Sequence, residues 1–410
     1  MLNENGSKQQ TIKERNRALV LQSVLNQNII SRAEIARQLG LTKTTLTNIV
    51  NELIADDILV ESGTAAFSSA ENAPVIGRKS IGLELSPKAP LVCGFLIQRG
   101  NLHVILSDLQ GKLVADQKYT YIGLISPDEF RKRLEELFHQ IRIQNGQPLL
   151  AAGISCIGPL NIVEGKLLNP HHFFSVPYEC EIVSFVSELT GVPTYLCNDA
   201  TAGAIAEKLF GLGRNEDNFV YISTFNGIGA GFYLDNKLYN GEVGQNGELG
   251  HMSINFMGPK CVCGNNGCLE LYTDVQSIID GYDHLKEFLP DHPLFAKRGN
   301  TIFDLLSLID NDDVLAMAVM SEYCKYLECA VSNLITQLNI NLVILAGSLK
   351  TTNHFFEHTL MHMINKRAFT AKYRKNLVVK SPFGLDSPLY GSVGIVIDKI
   401  FNGEIYPKIS

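Results

Sequence analysis

The chain has 410 residues, of which 45% are hydrophobic and 19% are charged, with a formal net charge of −7. This length exceeds what one hydrophobic core usually supports, so we expect two or three domains of ordinary globular composition. The sequence has no apolar stretch that could span a bilayer, and its polar first twenty residues lack the core of a signal peptide. We therefore predict a cytoplasmic protein without membrane insertion, and the nine irregularly spaced cysteines argue against a secreted disulfide framework.

The charge is distributed unevenly along the chain. Residues 8–51 contain seven lysines and arginines but only two acidic residues, a local excess of five positive charges. The remainder of the chain therefore carries about −12. A basic head on an acidic body is typical of a DNA-binding module attached to a sensor.

Residues 31–54 show the pattern of a helix-turn-helix. Ser31 and Glu34 have the spacing of a capping box, which predicts a helix that Gly40 ends. Thr42 can cap a second helix, whose apolar residues recur with the helical period. These apolar residues are Leu46, Ile49, Val50, Leu53 and Ile54.

The opposite face of the second helix carries short hydroxyls and amides, which suit contacts in a DNA major groove. An earlier helix over about residues 12–26 and two short strands at 59–60 and 81–85 would complete a winged helix, with residues 62–76 as the wing loop. Basic residues near the wing could enter a minor groove. A three-helix protein-interaction module remains the alternative. The predicted DNA-binding residues are Lys43, Thr44, Thr45, Thr47, Asn48, Arg78 and Lys79.

The body beyond residue 86 alternates strand-like and helix-like segments, with glycine turns between them. This alternation predicts an α/β architecture. The predicted strands are 91–97, 102–107, 112–115, 150–156, 192–196, 218–224 and 342–346, and the clearest predicted helix is 127–143.

Residues 248–270 contain one histidine followed by three cysteines. His251, Cys261, Cys263 and Cys268 form a complete tetrahedral ligand set for structural Zn²⁺, with no position left for water. A group of unrelated buried thiols is the alternative. Glutamates stand on both sides of the set, which indicates a metal-stabilised loop beside a polar ligand.

The motifs of the body are similar to those of the ROK family, which contains sugar-responsive repressors and sugar kinases. They are CNDATAGAIAEKLFG (197–211), FNGIGAGFYLDNKLYNGEVGQNGELGH (225–251), CVCGNNGCLE (261–270), NLVILAGSL (341–349) and LYGSVG (389–394). The resemblance implies a two-lobed, actin- and hexokinase-like α/β body with the ligand in the interlobe cleft. It divides the chain into a winged helix-turn-helix at 1–86, a small lobe at 87–196 completed by 385–410, and a large lobe at 197–384 that carries the zinc motif.

The resemblance also implies which residues hold the sugar. They are Asn198, Asp199, Glu248, His251 and Glu270. Carboxylates and amides of this kind pair with vicinal hydroxyls, and such a site rejects ligands that lack one of them. His251 would bind zinc through one ring nitrogen and the sugar through the other. For Asn198 and Asp199, a purely structural role as a helix N-cap is the alternative.

One family motif is altered in this chain. The kinases use a D-x-G-G-T turn, whose aspartate organises the metal and whose glycines let backbone N–H groups approach the phosphates. Leu96 stands where the aspartate would be, and Gln98 and Arg99 replace the two glycines. We therefore predict that the protein is not an enzyme and that Asp199 binds the sugar without acting as a base.

The sequence as a whole predicts a DNA-binding transcriptional repressor that senses a sugar or sugar derivative in the interlobe cleft and thereby changes its operator affinity. A homodimer or tetramer is expected, because one winged helix rarely supplies enough specific contacts. Two alternatives stay open: an active ATP-dependent sugar kinase with an added DNA-binding head, and a repressor sequestered by a sugar-transport protein.

Overall fold

The protein is described by a computed structural model, which covers residues 2–27, 29–64, 81–224, 227–241, 246–346 and 352–408. Its contacts divide the chain into two compact units. Unit one comprises Met1–Cys156, Gly165–Leu196 and Ser392–Ser410, and unit two comprises Ile157–Glu164 and Cys197–Gly391. The first 86 residues thus belong to the same unit as those that follow, and the sequence-based division into a head and two lobes stays a prediction.

The N-terminal part of unit one is a winged helix-turn-helix. Its elements are α1 (Leu2–Gln27), β1 (Ile30–Ser31), α2 (Arg32–Leu39), α3 (Lys43–Ala55), β2 (Leu59–Thr64) and β3 (Ile81–Leu85). The side chain of Ser31 accepts a hydrogen bond from the Glu34 N–H at 3.2 Å, and Thr42 accepts one from the Thr45 N–H at 3.1 Å. The predicted N-caps and helix starts are therefore confirmed. The Glu34 carboxylate, the other half of the predicted capping box, instead accepts hydrogen bonds from Arg37 and Gln38.

Gly40 ends α2 in the left-handed conformation, at φ 63°, which a residue with a Cβ rarely adopts. The wing contains one strand that the sequence did not indicate, since β1 pairs with β3 and gives the order β1-β3-β2. Of the predicted apolar face of α3, Leu46, Ile49, Val50 and Leu53 are buried, whereas Ile54 is half-buried.

The rest of unit one is built on a five-stranded sheet. The elements between residues 91 and 198 are, in chain order, β4 (Leu91–Gln98), β5 (Asn101–Ser107), β6 (Leu113–Thr120), α4 (Pro127–Gln144), β7 (Leu149–Cys156), β8 (Leu160–Asn161), β9 (Lys166–Leu168), β10 (Glu179–Cys180), α5 (Ile182–Thr190) and β11 (Thr194–Asn198). Of these, β8 and the last two residues of β11 belong to unit two. The sheet order is β11-β7-β4-β5-β6, with β4 and β7 parallel and β4, β5 and β6 antiparallel. Strands β4 and β7 are buried along their whole length, which explains their uninterrupted apolar sequences.

Unit two is built on a second five-stranded sheet, flanked by helices. The remaining elements are α6 (Asp199–Phe210), β12 (Phe219–Ser223), β13 (Gly229–Leu234), β14 (Lys237–Tyr239), α7 (Val275–Asp280), α8 (Pro293–Ala296), α9 (Ile302–Ile309), α10 (Val314–Leu338), β15 (Leu342–Leu345), α11 (Phe355–Arg367), β16 (Leu377–Lys380) and α12 (Ser387–Phe401). The part of α12 from Ser392 onward belongs to unit one. The sheet order is β14-β13-β12-β15-β16, in which β12, β15 and β16 run parallel. The long helix α10 supplies much of the core of this unit.

Every strand predicted in the body is present, although β6 extends to residue 120, five residues beyond its predicted end. The two five-stranded sheets and the helices between their strands agree with the predicted α/β class. Among the helices of the described ranges, none has the length and apolarity needed to cross a membrane.

Candidate functional site

The histidine and three cysteines converge in a compact loop of unit two. His251 ends a short 3-10 turn, Leu249–His251, and Cys268 directly precedes a second turn, Leu269–Leu271. Two antiparallel bridges, Ser253 with Cys268 and Lys260 with Asn266, close the loop between the two turns. The ligand atoms of all four residues lie within 4.8 Å of one another.

Glycines make the tight path of this loop possible. Gly267 has φ +64°, and a Cβ placed on it would lie 1.8 Å from the backbone oxygen of Asn255. Gly264 has φ +94°, directly after Cys263. A side chain would therefore clash with the backbone at Gly267 and strain the backbone at Gly264.

The donor spacing fits a tetrahedral metal. The Sγ atoms of Cys263 and Cys268 are 3.6 Å apart, and Cys261 Sγ lies 3.7 Å from His251 Nδ1. Bond lengths of about 2.3 Å for Zn–S and about 2.0 Å for Zn–N place tetrahedral donors roughly 3.5–3.8 Å apart. These two donor pairs therefore have the spacing of a tetrahedral metal site, and the four residues together could hold a metal ion.

The two thiols nearest each other differ in acidity. A hydrogen bond from the Asn265 backbone lowers the pKa of the Cys263 thiol, which is exposed. Burial raises the pKa of Cys268 to about 12. Because metal ligation requires thiolates, a bound cation would have to displace the proton of Cys268.

Asn198 and Asp199 stand where β11 passes into α6. Asn198 Oδ1 accepts a hydrogen bond from the Ala200 N–H at 2.9 Å, and Asp199 Oδ1 lies at the same distance from that N–H. The N-cap role of Asn198 is therefore real. It uses only the oxygen of the amide, so the Nδ2 group is still available as a donor to a ligand.

Gly158 lies beside both the amide of Asn198 and the carboxylate of Glu248. A Cβ placed on Gly158 would lie 3.6 Å from Asn198 Nδ2 and 3.7 Å from Glu248 Oε1. The missing side chain thus leaves room between a hydrogen-bond donor and an acceptor. Sequence reasoning did not single out Gly158 as a site residue, because it lies 40 residues before Asn198 and 90 before Glu248.

The two glutamates and the histidine influence one another. Desolvation by surrounding protein raises the pKa of Glu248, Glu270 raises it further, and His251 lowers it. Glu248 is nevertheless exposed to solvent over part of its surface. Glu270 Oε1 lies 3.2 Å from the Cβ position of Gly227, which places this carboxylate beside the glycine-rich loop.

Residues 96–100, where the sequence predicts an altered kinase turn, form the end of β4 and a tight connection to β5. Leu96 and Gln98 are buried in β4, and Gly100 turns the chain at φ +74°. Arg99 Nε donates a hydrogen bond to the backbone oxygen of His171 at 2.9 Å. The side chains of Leu96, Gln98 and Arg99 are thus all engaged within the protein.

The predicted DNA-binding residues that fall in the described ranges lie on α3. Lys43, Thr44, Thr47 and Asn48 are exposed, whereas Thr45 is half-buried and its hydroxyl lies 2.9 Å from that of Thr42. The predicted Arg78 and Lys79 fall outside the described residues.

Arg32 lies next to the predicted DNA-binding residues but was not among them. Its guanidinium donates to Asn51 Oδ1 at 3.1 Å and to Glu61 at 2.9 Å, and thereby joins α3 to the wing. Because Arg32 is the first residue of α2, the sequence did not indicate that it would connect α3 with the wing.

Comparison with known proteins agrees with these features. The model of the ROK family matches residues 97–399. The chain is 29% identical over 390 residues to the xylose repressor of Bacillus subtilis, covering 94% of this chain and 96% of that protein.

Two solved structures are similar to the whole chain or to most of it. A ROK family transcriptional regulator described as a homolog of the E. coli MLC protein has a TM-score of 0.78 and 25% identity, covering 96% of this chain and 98% of its own. A ROK family glucokinase from Streptomyces griseus, in complex with glucose and AMPPNP, has a TM-score of 0.63 and 19% identity. The glucokinase match covers 98% of that chain but only 74% of this one, so about a quarter of the present chain has no counterpart in it.

Proposed function

The chain belongs to the ROK family, and we propose that it is a DNA-binding transcriptional repressor whose body binds a sugar or sugar derivative. The observation that carries this proposal is the extent of the structural match. The ROK transcriptional regulator is similar over 96% of the chain, whereas the glucokinase is similar over 74%. The additional quarter corresponds in size to the winged helix-turn-helix, which we assign to residues 1–86.

DNA binding is supported by the exposed face of α3. Lys43, Thr44, Thr47 and Asn48 present one ammonium, two hydroxyls and one amide to the outside, while the apolar face is buried in the head. Side chains of this length reach base edges and phosphates when a helix enters the major groove. Thr45 is better assigned to supporting the start of α3, because its N–H donates to Thr42.

Sugar binding is supported by the donors and acceptors around Gly158. Asn198 Nδ2 and Glu248 Oε1 flank it, and Glu248 lies within the electrostatic influence of His251 and Glu270. Asp199 follows Asn198 at the start of α6. We take D-xylose as the first sugar to test, because a relative that aligns over 94% of this chain is named a xylose repressor.

The metal is proposed to be structural Zn²⁺, held by His251, Cys261, Cys263 and Cys268. Three thiolates and one imidazole favour zinc and leave no coordination position for a substrate. When bound, the ion would tie the two 3-10 turns together and fix the position of Glu248 and Glu270 on either side.

Sugar phosphorylation is not expected. A buried leucine cannot bind magnesium, and the Arg99 side chain stands in place of a phosphate-binding glycine. A coupled assay with Mg²⁺, ATP and a panel of pentoses and hexoses should show no turnover above background. Turnover at rates of about 1–100 s⁻¹, which is the range of kinases, would instead establish the kinase alternative.

The active form is proposed to be a homodimer or tetramer that works in the cytoplasm on operator DNA. Repeated half-sites double the number of base contacts, which one winged helix supplies only in part. A sugar-transport protein as the regulating partner is the remaining alternative.

The test is a fluorescence-anisotropy titration of the zinc-loaded full chain with DNA fragments selected from the source genome, with and without D-xylose and other sugars. We expect specific binding that one sugar alters. A Thr47→Ala/Asn48→Ala variant should lose specific DNA binding yet keep the sugar-induced thermal shift. A Glu248→Gln variant should do the reverse, and DNA binding that no sugar changes would favour control by a protein partner.

A further inference from the structure

Unit two carries a basic surface cavity that contains none of the residues assigned to the sugar site or to DNA binding. Its volume is about 360 Å³, near the lower end for small-ligand pockets. It lies between one face of α11 and the loop that precedes β16. His358 and His362, one helical turn apart, face Arg374 and Lys375 across it.

The surrounding segment is strongly basic in an otherwise acidic body. Residues 352–380 contain six lysines and arginines but a single acidic residue, Glu357, which is buried. Among the described residues that line the cavity, none is acidic. The positive charge of the cavity is therefore not neutralised by its own walls.

The groups that line the cavity are held in place. Asn365 of α11 accepts a hydrogen bond from the Asn376 N–H and donates one to the Asn376 carbonyl, both at 2.9 Å. This pair of bonds fastens the loop bearing Arg374 and Lys375 to the helix bearing the histidines. Within the described part of the chain, Nε and Nη2 of Arg374 are buried without a hydrogen-bond acceptor. Leaving these two nitrogens unpaired is costly, and none of the described lining residues supplies a negative charge beside the guanidinium.

The cavity is separate from the sugar-binding set. Gly227, which contacts Glu270, follows the carboxyl end of β12, whereas Arg374 and Lys375 precede the amino end of β16. Because β12 and β16 both run parallel to β15, these two positions lie at opposite edges of the sheet.

We propose that this cavity is a second ligand site, which binds the phosphoryl group of a small metabolite or free inorganic phosphate. The charges of one guanidinium and one ammonium group match that of a phosphate dianion, and the two imidazoles add N–H donors. An uncharged sugar would leave these charges unpaired. The proposal does not depend on the repressor function, since it concerns binding alone.

The experiment is a titration of the full-length, zinc-loaded protein with inorganic phosphate and with ribose 5-phosphate at constant ionic strength, followed by calorimetry and by ³¹P NMR line broadening. Ribose without the phosphate serves as the control ligand. We expect saturable binding of the phosphorylated probes that an Arg374→Gln/Lys375→Gln variant weakens by at least about tenfold, the usual cost of losing a charge-assisted hydrogen bond. The single variant Lys375→Gln, at an exposed position, should weaken binding without affecting folding.

Matched variants separate this site from general charge effects and from the sugar site. Lys118→Gln/Lys132→Gln removes two exposed charges elsewhere and should leave phosphate binding unchanged, as should Glu248→Gln. Tighter binding of ribose 5-phosphate than of phosphate would support a phosphorylated metabolite, and equal binding would support free phosphate. The absence of saturable binding, or equal binding by wild type and the Arg374→Gln/Lys375→Gln variant, would overturn the proposal.

Discussion

The helix-turn-helix at 31–55 and the metal-ligand loop at 248–270 are of similar length but are stabilised in opposite ways. The helix-turn-helix has two capped helices and buries Leu46 and Leu53 almost completely. The loop has only two short 3-10 turns, and its large apolar side chains Phe256, Met257 and Val262 are 82%, 79% and 84% exposed. The difference indicates that apolar burial stabilises the first region, whereas the second depends on its metal ligands.

The largest expected effect is the removal of the metal. Replacement of one ligand by Cys263→Ala should abolish stoichiometric zinc, because three donors no longer close the tetrahedron. Sugar affinity should fall by at least about tenfold. For comparison, loss of a residue that only hydrogen-bonds to a metal ligand usually lowers metal affinity or activity by about 10- to 100-fold. Elemental analysis measures the zinc content and calorimetry measures the sugar affinity. The DNA affinity should stay unchanged. Cys329→Ser, outside the cluster, is the control, and full sugar binding by Cys263→Ala would show that the loop holds without its metal.

The next largest effect is expected in the helix-turn-helix, where a substitution that creates a cavity should lower the stability. Leu53→Ala removes a fully buried side chain from α3 and should lower the free energy of unfolding of the head by about 2–5 kcal/mol. Urea denaturation followed by circular dichroism measures the loss, and specific DNA binding should weaken with it. The half-buried neighbour Ile54 provides the control, since Ile54→Ala should cost less. Loss of zinc or of sugar binding in Leu53→Ala would contradict the independence of the two regions.

A smaller and more local effect is expected at Gly158. The new methyl group of Gly158→Ala would meet Asn198 Nδ2 and Glu248 Oε1 at ordinary contact distances, so the fold should tolerate it. It would nevertheless occupy the space between a donor and an acceptor of the sugar. We expect sugar affinity to fall by at least about tenfold, or about 1.4 kcal/mol, with unchanged zinc content and DNA affinity. Gly146→Ala, where a Cβ would meet nothing within 4 Å, is the control. Undiminished sugar binding would place the ligand elsewhere.

The smallest effect concerns the cap of α3. Thr42→Ala removes the hydroxyl that accepts the Thr45 N–H and should lower the stability of the head by about 1 kcal/mol. Thermal denaturation should show a decrease in melting temperature of about 2–8 °C, with sugar affinity unchanged. Thr44→Ala, exposed on the same helix, should change the melting temperature less. Equal decreases in the two variants would show that the cap contributes little.

Local patterns in the sequence were sufficient for the elements that depend on near neighbours. The caps Ser31 and Thr42 and the ending glycine of α2 act within four residues, so their effect can be read directly from the sequence. The metal-ligand set is similar, because its four members lie within 18 residues and only a tight loop can join them. Strand β1, which has only two residues, was missed because its partner β3 lies more than 50 residues away.

The amino-acid sequence by itself therefore determined the helix-turn-helix, the α/β class, the ligand set and, through its motifs, the family. Tertiary structure alone decided which distant groups meet: Gly158 beside Asn198 and Glu248, and Arg32 between α3 and the wing. It also placed the two parts of the basic segment 352–380 around a cavity, where Asn365 is hydrogen-bonded to Asn376. The physical reason is that caps, turns and periodicity act over a few residues, whereas contacts between distant residues follow from the packing of whole elements.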